Sequence, residues 1–281
     1  MALEVTNLTK RFRIRKGLRS SDLVAVDDVS FTIEPGRTIA LVGESGSGKS
    51  TIAKMILRLE RPTAGSVTID GISSTAHGRS AKDYLHLVQM VFQDPFASLN
   101  PYHTIGHHIE RPLKIHDKVR GRAETRAKVE ELLERVNLTP TGDMADHLPT
   151  NPSGGQRQRV AIARALAPGA KYLIADEPVS MLDVSIRLSV LNLLARLQRE
   201  EHLGVLYITH DLATARHFSD EIMVMYKGRI VERGPSDEVI LHPRHEYTKL
   251  LLDAAPDPSH HGRMKREVHE EFLAATGGDE P

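Results

Sequence analysis

Thr38-Ile39-Ala40-Leu41-Val42-Gly43-Glu44-Ser45-Gly46-Ser47-Gly48-Lys49-Ser50-Thr51 is the stretch that decides the fold of this chain. A short apolar strand runs directly into a glycine-rich loop, and the apolar stretch from Ile52 to Leu59 continues as a helix. Strand, phosphate loop, helix is the opening of a nucleotide-binding α/β core. Gly43, Gly46 and Gly48 let the backbone turn tightly, so that its N–H groups face β- and γ-phosphates at a helix start. Lys49 supplies a point positive charge for the terminal phosphates, and the Ser50 hydroxyl can ligate Mg²⁺. Glu44, Ser45, Ser47 and Thr51 complete the nucleotide-contacting stretch.

Working outward, the sequence before the loop alternates like half-buried antiparallel strands. Val29, Phe31 and Ile33 point one way and Ser30 and Thr32 the other, and Val67 and Ile69 repeat the pattern ahead of the turn Asp70-Gly71. From about 95 to 155 strand-like runs disappear, and Val129, Leu132, Leu133 and Val136 fall at the spacing of an amphipathic helix. This segment reads as a helical insertion. Three buried parallel strands are then expected at Tyr172–Ala175, Val205–Ile208 and Ile222–Tyr226, the first two separated by a helix carrying Val190, Leu193, Leu194 and Leu197. The fold class expected is α/β, a parallel sheet core with an antiparallel β subdomain in front and an inserted helical subdomain. One domain over 1–255 and a partly disordered extension over 256–281, rich in proline, histidine and charge, are expected.

Composition narrows the classes of function. The 281 residues carry 37 basic and 37 acidic side chains, a balance that gives no sign of a nucleic-acid partner. There is no cysteine, which excludes disulfides and thiolate metal sites and fits a reducing compartment. The start, Met1-Ala2-Leu3-Glu4-Val5, has no signal-peptide pattern, and no apolar run reaches the ~18 residues needed to span a bilayer. The expectation is a soluble cytoplasmic protein that another chain must hold if it works at a membrane.

Further polar residues sit where chemistry would need them. Asp176-Glu177-Pro178 follows the apolar run Tyr172-Leu173-Ile174-Ala175, so its carboxylates belong at the C-terminal end of a parallel strand, beside the phosphate loop. Asp176 would hold Mg²⁺ through water. His210 and Gln93 each lie just past an apolar strand. Ser153-Gly154-Gly155-Gln156-Arg157 has the spacing of a capping box, and a helix start with two glycines is also a seat for phosphate.

In this order the motifs resemble those of the ATP-binding subunit of ATP-binding-cassette (ABC) proteins, a P-loop NTPase of RecA-like core, over about Leu3 to Pro258. The resemblance implies that Ser153 to Gln156 of one subunit closes over ATP held by the partner's loop. It implies that Glu177 positions the attacking water, that His210 contacts the γ-phosphate, and that Gln93 senses Mg²⁺ and that water. By the same resemblance Asp183, in Ser180-Met181-Leu182-Asp183, communicates between paired sites. Phe12 resembles the aromatic that stacks on adenine, although a core residue at a strand end fits its position equally well.

Within the family, Val91-Phe92-Gln93-Asp94-Pro95-Phe96-Ala97-Ser98-Leu99-Asn100-Pro101, Asp183-Val184-Ser185 and the tail from His242-Pro243 through Tyr247-Thr248 to Leu251-Leu252 look like the oligopeptide and dipeptide importer branch. So does the insertion Arg13 to Asp22, whose basic run (Arg13, Arg15, Lys16, Arg19) fits a solvated loop or contact with an anionic surface. The implied cofactors are ATP and Mg²⁺. The implied partners are transmembrane permease subunits, docking near Gln93 to Asn100, a second ABC ATPase subunit (identical or paralogous), and indirectly a solute-binding protein, with no nucleic acid. The implied place is the cytoplasmic face of the membrane. A non-transport ATPase in a soluble enzyme complex and an exporter motor are the alternatives. One departure from the family is Pro152, where leucine usually precedes the Ser-Gly-Gly-Gln element, and it is expected to lower the efficiency of that face.

Overall fold

The structure is a computed structural model that describes residues 2–16 and 19–254. The extension read over 256–281 lies outside the described residues.

Two sheets share one core. β1 (Leu3–Lys16), β2 (Arg19–Ile33), β4 (Ala64–Ile69) and β5 (Ile72–Ser73) form an antiparallel sheet in the order β2-β1-β4-β5. The second sheet runs β10-β9-β3-β8-β7-β6. Its strands are β3 (Thr38–Val42), β6 (Val88–Val91), β7 (Tyr172–Asp176), β8 (Gly204–Thr209), β9 (Glu221–Tyr226) and β10 (Arg229–Pro235). Every pairing in it is parallel except β9 with β10. All of β3 and all of β8 is buried, as expected of strands covered on both faces.

The faces of β3 sort the core. Ile39 and Leu41 pack with Ile52, Met55 and Ile56 of α1 (Lys49–Ile56) and with the inner face of the antiparallel sheet, including Val29, Phe31, Ile33, Val67 and Ile69. Ala40 and Val42 face the other way, into a cluster that takes in the helices. The segment between β1 and β3 therefore alternates as the sequence indicates. Helix α2 (Gly78–Leu87) leads into β6.

Between β6 and β7 all regular structure is helical: α3 (Pro95–Ser98), α4 (Ile105–Ile115), α5 (Arg122–Arg135), α6 (Thr141–Asp146) and α7 (Gly154–Leu166). Val129, Leu132, Leu133 and Val136 are each 2% exposed or less, so the amphipathic spacing marks the buried stripe of α5. The remaining helices are α8 (Val184–Glu201), α9 (Leu212–Phe218), α10 (Ser236–Leu241) and α11 (Glu246–Ala254). Val190, Leu193, Leu194 and Leu197 form the buried face of α8.

Three local features differ from the sequence expectation. The helix after the phosphate loop stops at Ile56 instead of running to Leu59. Arg58 is left-handed (φ 61), and Leu59 N–H returns to Lys54 O at 2.8 Å, the bond pattern of a Schellman stop with arginine where glycine is usual. Leu59 is left 63% exposed. The insertion Arg13 to Asp22 is not an open loop, because Arg13 pairs with Asp22 and Ile14 with Ser21 along the far end of the β1–β2 hairpin. Finally, β10 adds an antiparallel edge strand through the two-residue turn Lys227-Gly228, both at positive φ (44 and 84).

Candidate active site

The strand register brings the predicted residues to one edge. Val42 lies opposite Thr209, Asp176 opposite Ile208 and Val91 opposite Ala175. The residues that follow these strand ends, Gly43, Glu177, His210 and Gln93, therefore emerge together at the C-terminal edge of the parallel sheet, where ligands of such sheets bind.

The phosphate loop is shaped by its neighbours. Gly48, the N-cap of α1, has φ 112, and a Cβ there would lie 2.2 Å from Ala25 O, so only glycine fits. Gly228 N–H donates to Ser47 O at 3.0 Å, and the Tyr247 hydroxyl accepts the N–H of Glu44 at 3.1 Å. Lys49 is only 6% exposed and its ammonium donates to Gly43 O (2.6 Å) and Glu44 O (2.7 Å). Burial pushes its pKa down, while Glu177, Asp176 and Glu44 pull it back up. A desolvated cation held on two carbonyls is poised to exchange them for phosphate oxygens.

Asp176 ends β7 and Glu177 follows it. Burial pushes the Asp176 carboxyl up in pKa, the Ser50 hydrogen bond works against this, and the neighbouring Glu177 charge adds to the rise. Ser50 Oγ lies 3.5 Å from Asp176 Oδ1. Among the described residues no group of three or more His, Cys, Asp or Glu could hold a metal alone. One hydroxyl and one carboxylate nevertheless suit Mg²⁺, which keeps several waters and takes phosphate oxygens as its other ligands.

Glu177 gathers the remaining candidates. Gln93 Nε2 donates to its Oε2 at 3.0 Å, and His210 Nδ1 lies 3.3 Å from its Oε1. The glutamate backbone is left-handed (φ 44), which costs a non-glycine residue roughly 1–2 kcal/mol. Three bonds hold it there: Glu177 N–H donates to Ile208 O (2.9 Å), and its carbonyl accepts from Ser180 N–H (3.2 Å) and Ser180 Oγ (3.0 Å). His210 is steadied by the next residue, since Asp211 caps α9 by accepting the N–H groups of Ala213 and Thr214.

Ser153 to Gln156 are held by different neighbours. Both bonds of the capping box are present, Gln156 N–H to Ser153 Oγ at 3.3 Å and Ser153 N–H to Gln156 Oε1 at 2.9 Å. Gly154 lies against Leu182, and a Cβ on Gly155 would meet Ile186 Cγ2 at 2.5 Å. Pro152 is itself buried. Asp183 is the exposed N-cap residue of α8 and makes no side-chain cap. Phe12, half-buried, pairs with Leu23 two residues from the Ala25 that touches Gly48, and the Lys10 ammonium sits 4.8 Å from its ring centroid.

α7 also reaches sideways. Gln158 donates to Phe92 O (3.4 Å), Arg164 to Ser98 O (2.5 Å) and Arg159 to Val136 O (2.9 Å). Beside these contacts a cleft of about 940 Å³ opens between the sheet core and α4, lined by Leu59, Leu85, Phe92, Ile115, Arg111 and His116. No helix among the described residues is long and apolar enough to cross a membrane.

Tyr247 is the site residue that motif reading missed. It appears in the sequence only as part of the tail, and nothing in the spacing ties it to a loop 203 residues away.

Comparison with known proteins finds relatives that align over nearly the whole chain. A family described as ABC transporter covers residues 26–180, and one described as oligopeptide/dipeptide transporter, C-terminal region, covers residues 231–276. The oligopeptide transport ATP-binding protein AppF of Bacillus subtilis is 46% identical over 270 residues, covering 94% of this chain and 81% of that protein. The dipeptide transport ATP-binding protein DppF of Haemophilus influenzae is 43% identical over 278 residues, covering 98% and 82%. Among solved structures, the dimeric post-hydrolysis state of the ATP-binding cassette MJ0796 bound to ADP and Pi superimposes with a TM-score of 0.71 at 33% identity, over 83% of this chain and 98% of that one.

Proposed function

Because this chain belongs to the ABC transporter family, as an ATPase of its oligopeptide/dipeptide branch, we propose that it is the ATP-driven motor of a peptide importer. The observation that carries the catalytic half is the convergence of Gln93 and His210 on the two oxygens of Glu177.

The N–H groups of the Gly43–Thr51 loop receive the β- and γ-phosphates, and Lys49 turns from its two carbonyls to the terminal phosphate oxygens. Ser50 directly, and Asp176 through water, would hold Mg²⁺, which would supply positive charge beside the phosphates. Gln93 would assist at that ion. Glu177 orients a water in line with the bond to the leaving ADP and accepts its proton, and His210 contacts the γ-phosphate. The new P–O bond forms to the water oxygen, the bond between the β-phosphate oxygen and the γ-phosphorus breaks, and ADP and phosphate leave. The protein's part is positioning and electrostatics.

Gly154 and Gly155 pack against Leu182 and Ile186, and the Ser153–Gln156 element they belong to suits a surface that completes the site of a second cassette. Two cassettes arranged head-to-tail would close on ATP and open after hydrolysis, with Asp183 at their seam and Phe12 against adenine. The cleft beside Phe92 and Ile115 is the docking place for a transmembrane permease subunit, which carries the motion across the membrane. A solute-binding protein delivers the peptide to that permease.

The test is a mild-detergent purification of the tagged chain from its own cells. Recovery of two polytopic membrane proteins in stoichiometric amount, with a second cassette and a peptide-binding protein, is the expected result. An eluate holding only soluble enzymes overturns the transport assignment and leaves the ATPase chemistry standing.

A further inference from the structure

The outer wall of the phosphate loop is built by the last described part of the chain. Tyr247, near the start of α11, is 1% exposed and its hydroxyl accepts the N–H of Glu44 at 3.1 Å. Its ring packs on Tyr226, the last residue of β9, with centroids 4.2 Å apart. The same wall continues at Met225, whose carbonyl leaves no room for a Cβ on Gly43, and at Gly228, whose N–H donates to Ser47 O.

The seat of Tyr247 is itself fixed. The Glu232 carboxylate on β10 accepts the N–H groups of Arg244 (2.8 Å) and His245 (3.0 Å). His245 Nδ1 then accepts the N–H of Tyr247 at 3.1 Å. A chain of bonds therefore runs from β10 through the start of α11 to the second residue of the phosphate loop. Glu44 N–H lies at the strand-to-loop bend, ahead of the N–H groups that turn towards phosphate, so its partner fixes the angle at which the loop leaves β3.

We propose that Tyr247 is a positioning residue for nucleotide binding: its hydroxyl holds the phosphate loop in the shape that accepts a triphosphate, and the C-terminal segment thereby sets ATP affinity. The inference rests on taking Gly43–Thr51 as the triphosphate seat. Tyr247→Phe removes the hydroxyl and keeps the ring on Tyr226.

The test is titration of the full chain with MgATP by calorimetry, alongside thermal unfolding without nucleotide. Tyr247→Phe is expected to raise the dissociation constant about three- to tenfold, the loss of roughly one net hydrogen bond. The apo unfolding midpoint is expected to move by no more than about 2–4 °C. Glu232→Gln, which loosens the same seat from β10, is expected to weaken binding in the same direction. Lys49→Ala separates the premise from the inference. If Lys49→Ala loses binding while Tyr247→Phe binds like wild type, the positioning role falls and the triphosphate seat stands. If Lys49→Ala binds like wild type, the seat falls and Tyr247 with it. A lowered apo midpoint with unchanged affinity would make Tyr247 a packing residue only.

Discussion

Glu177→Gln separates the chemistry of the site from its architecture. Glutamine keeps the length of the side chain, one oxygen to accept from Gln93, and the three backbone bonds to Ile208 and Ser180 that hold the left-handed conformation. What it loses is the negative charge and the proton acceptor. Removing a positioned general base costs about 10²–10⁴ in rate, or roughly 2.7–5.4 kcal/mol of barrier at 1.36 kcal/mol per decade. Nucleotide binding should survive, because the charge removed lies beside Asp176, whose ionised form it disfavours, and would repel incoming phosphates. The expected outcome is phosphate release at least a hundredfold slower, with ATP affinity equal to or tighter than wild type and a closed dimer that persists on size-exclusion chromatography in MgATP. Phosphate release by the assembled complex and calorimetric titration measure the two halves. Turnover within tenfold of wild type would refute Glu177 as the catalytic carboxylate, and lost ATP binding would mean that it shapes the loop instead.

Other expectations follow from packing and charge. Gly155→Ala drives a Cβ into Ile186 and should cost about 1–3 kcal/mol of overpacking, offset in part by the ~1 kcal/mol helix preference of alanine. A thermal-unfolding cycle with Ile186→Ala should show favourable coupling, and simple additivity would remove the clash as the cause. Burial holds His86 and His116 below the usual histidine pKa, so the native state binds their protons more weakly than the unfolded chain. Their contribution to stability is present above about pH 6.5 and is lost as pH falls below it. The unfolding midpoint should fall between pH 7.5 and 5.5, and His86→Asn should flatten that slope; an unchanged slope contradicts the assignment. Pro152→Leu is expected to raise turnover of the assembled complex, and unchanged turnover would mean that the buried proline ring anchors the Ser153 cap as well as leucine does.

The parallel core was legible because its strands are continuous apolar runs that end in the residues of interest, as in Tyr172 to Glu177 and Val205 to His210. The convergence of Gln93 and His210 on Glu177 was legible only through motif order, since no local pattern brings residues 84 positions apart together. The end of α1 was hidden because Arg58, a good helix former, takes the left-handed stop that glycine usually marks. The β9–β10 hairpin was hidden for the same reason at Lys227, where asparagine or aspartate would have signalled the turn. Strand pairing at Arg13 and Asp22 carries no apolar alternation to announce it, because Arg13, Ile14, Ser21 and Asp22 are all exposed. Tyr247 was out of reach because a buried tyrosine looks like any core aromatic until the partner of its hydroxyl is known.

The sideways grips of α7 bear on how such a motor can be re-used. Gln158, Arg159 and Arg164 all take hold of carbonyl oxygens, at Phe92, Val136 and Ser98. Every residue type offers that oxygen. If the cleft receives the permease as proposed, its side chains could therefore be exchanged to suit a different partner without unfastening the helix that begins at Ser153. The coupling would then be written in backbone atoms and the fit to the partner in side chains, so that one could diversify while the other stays fixed.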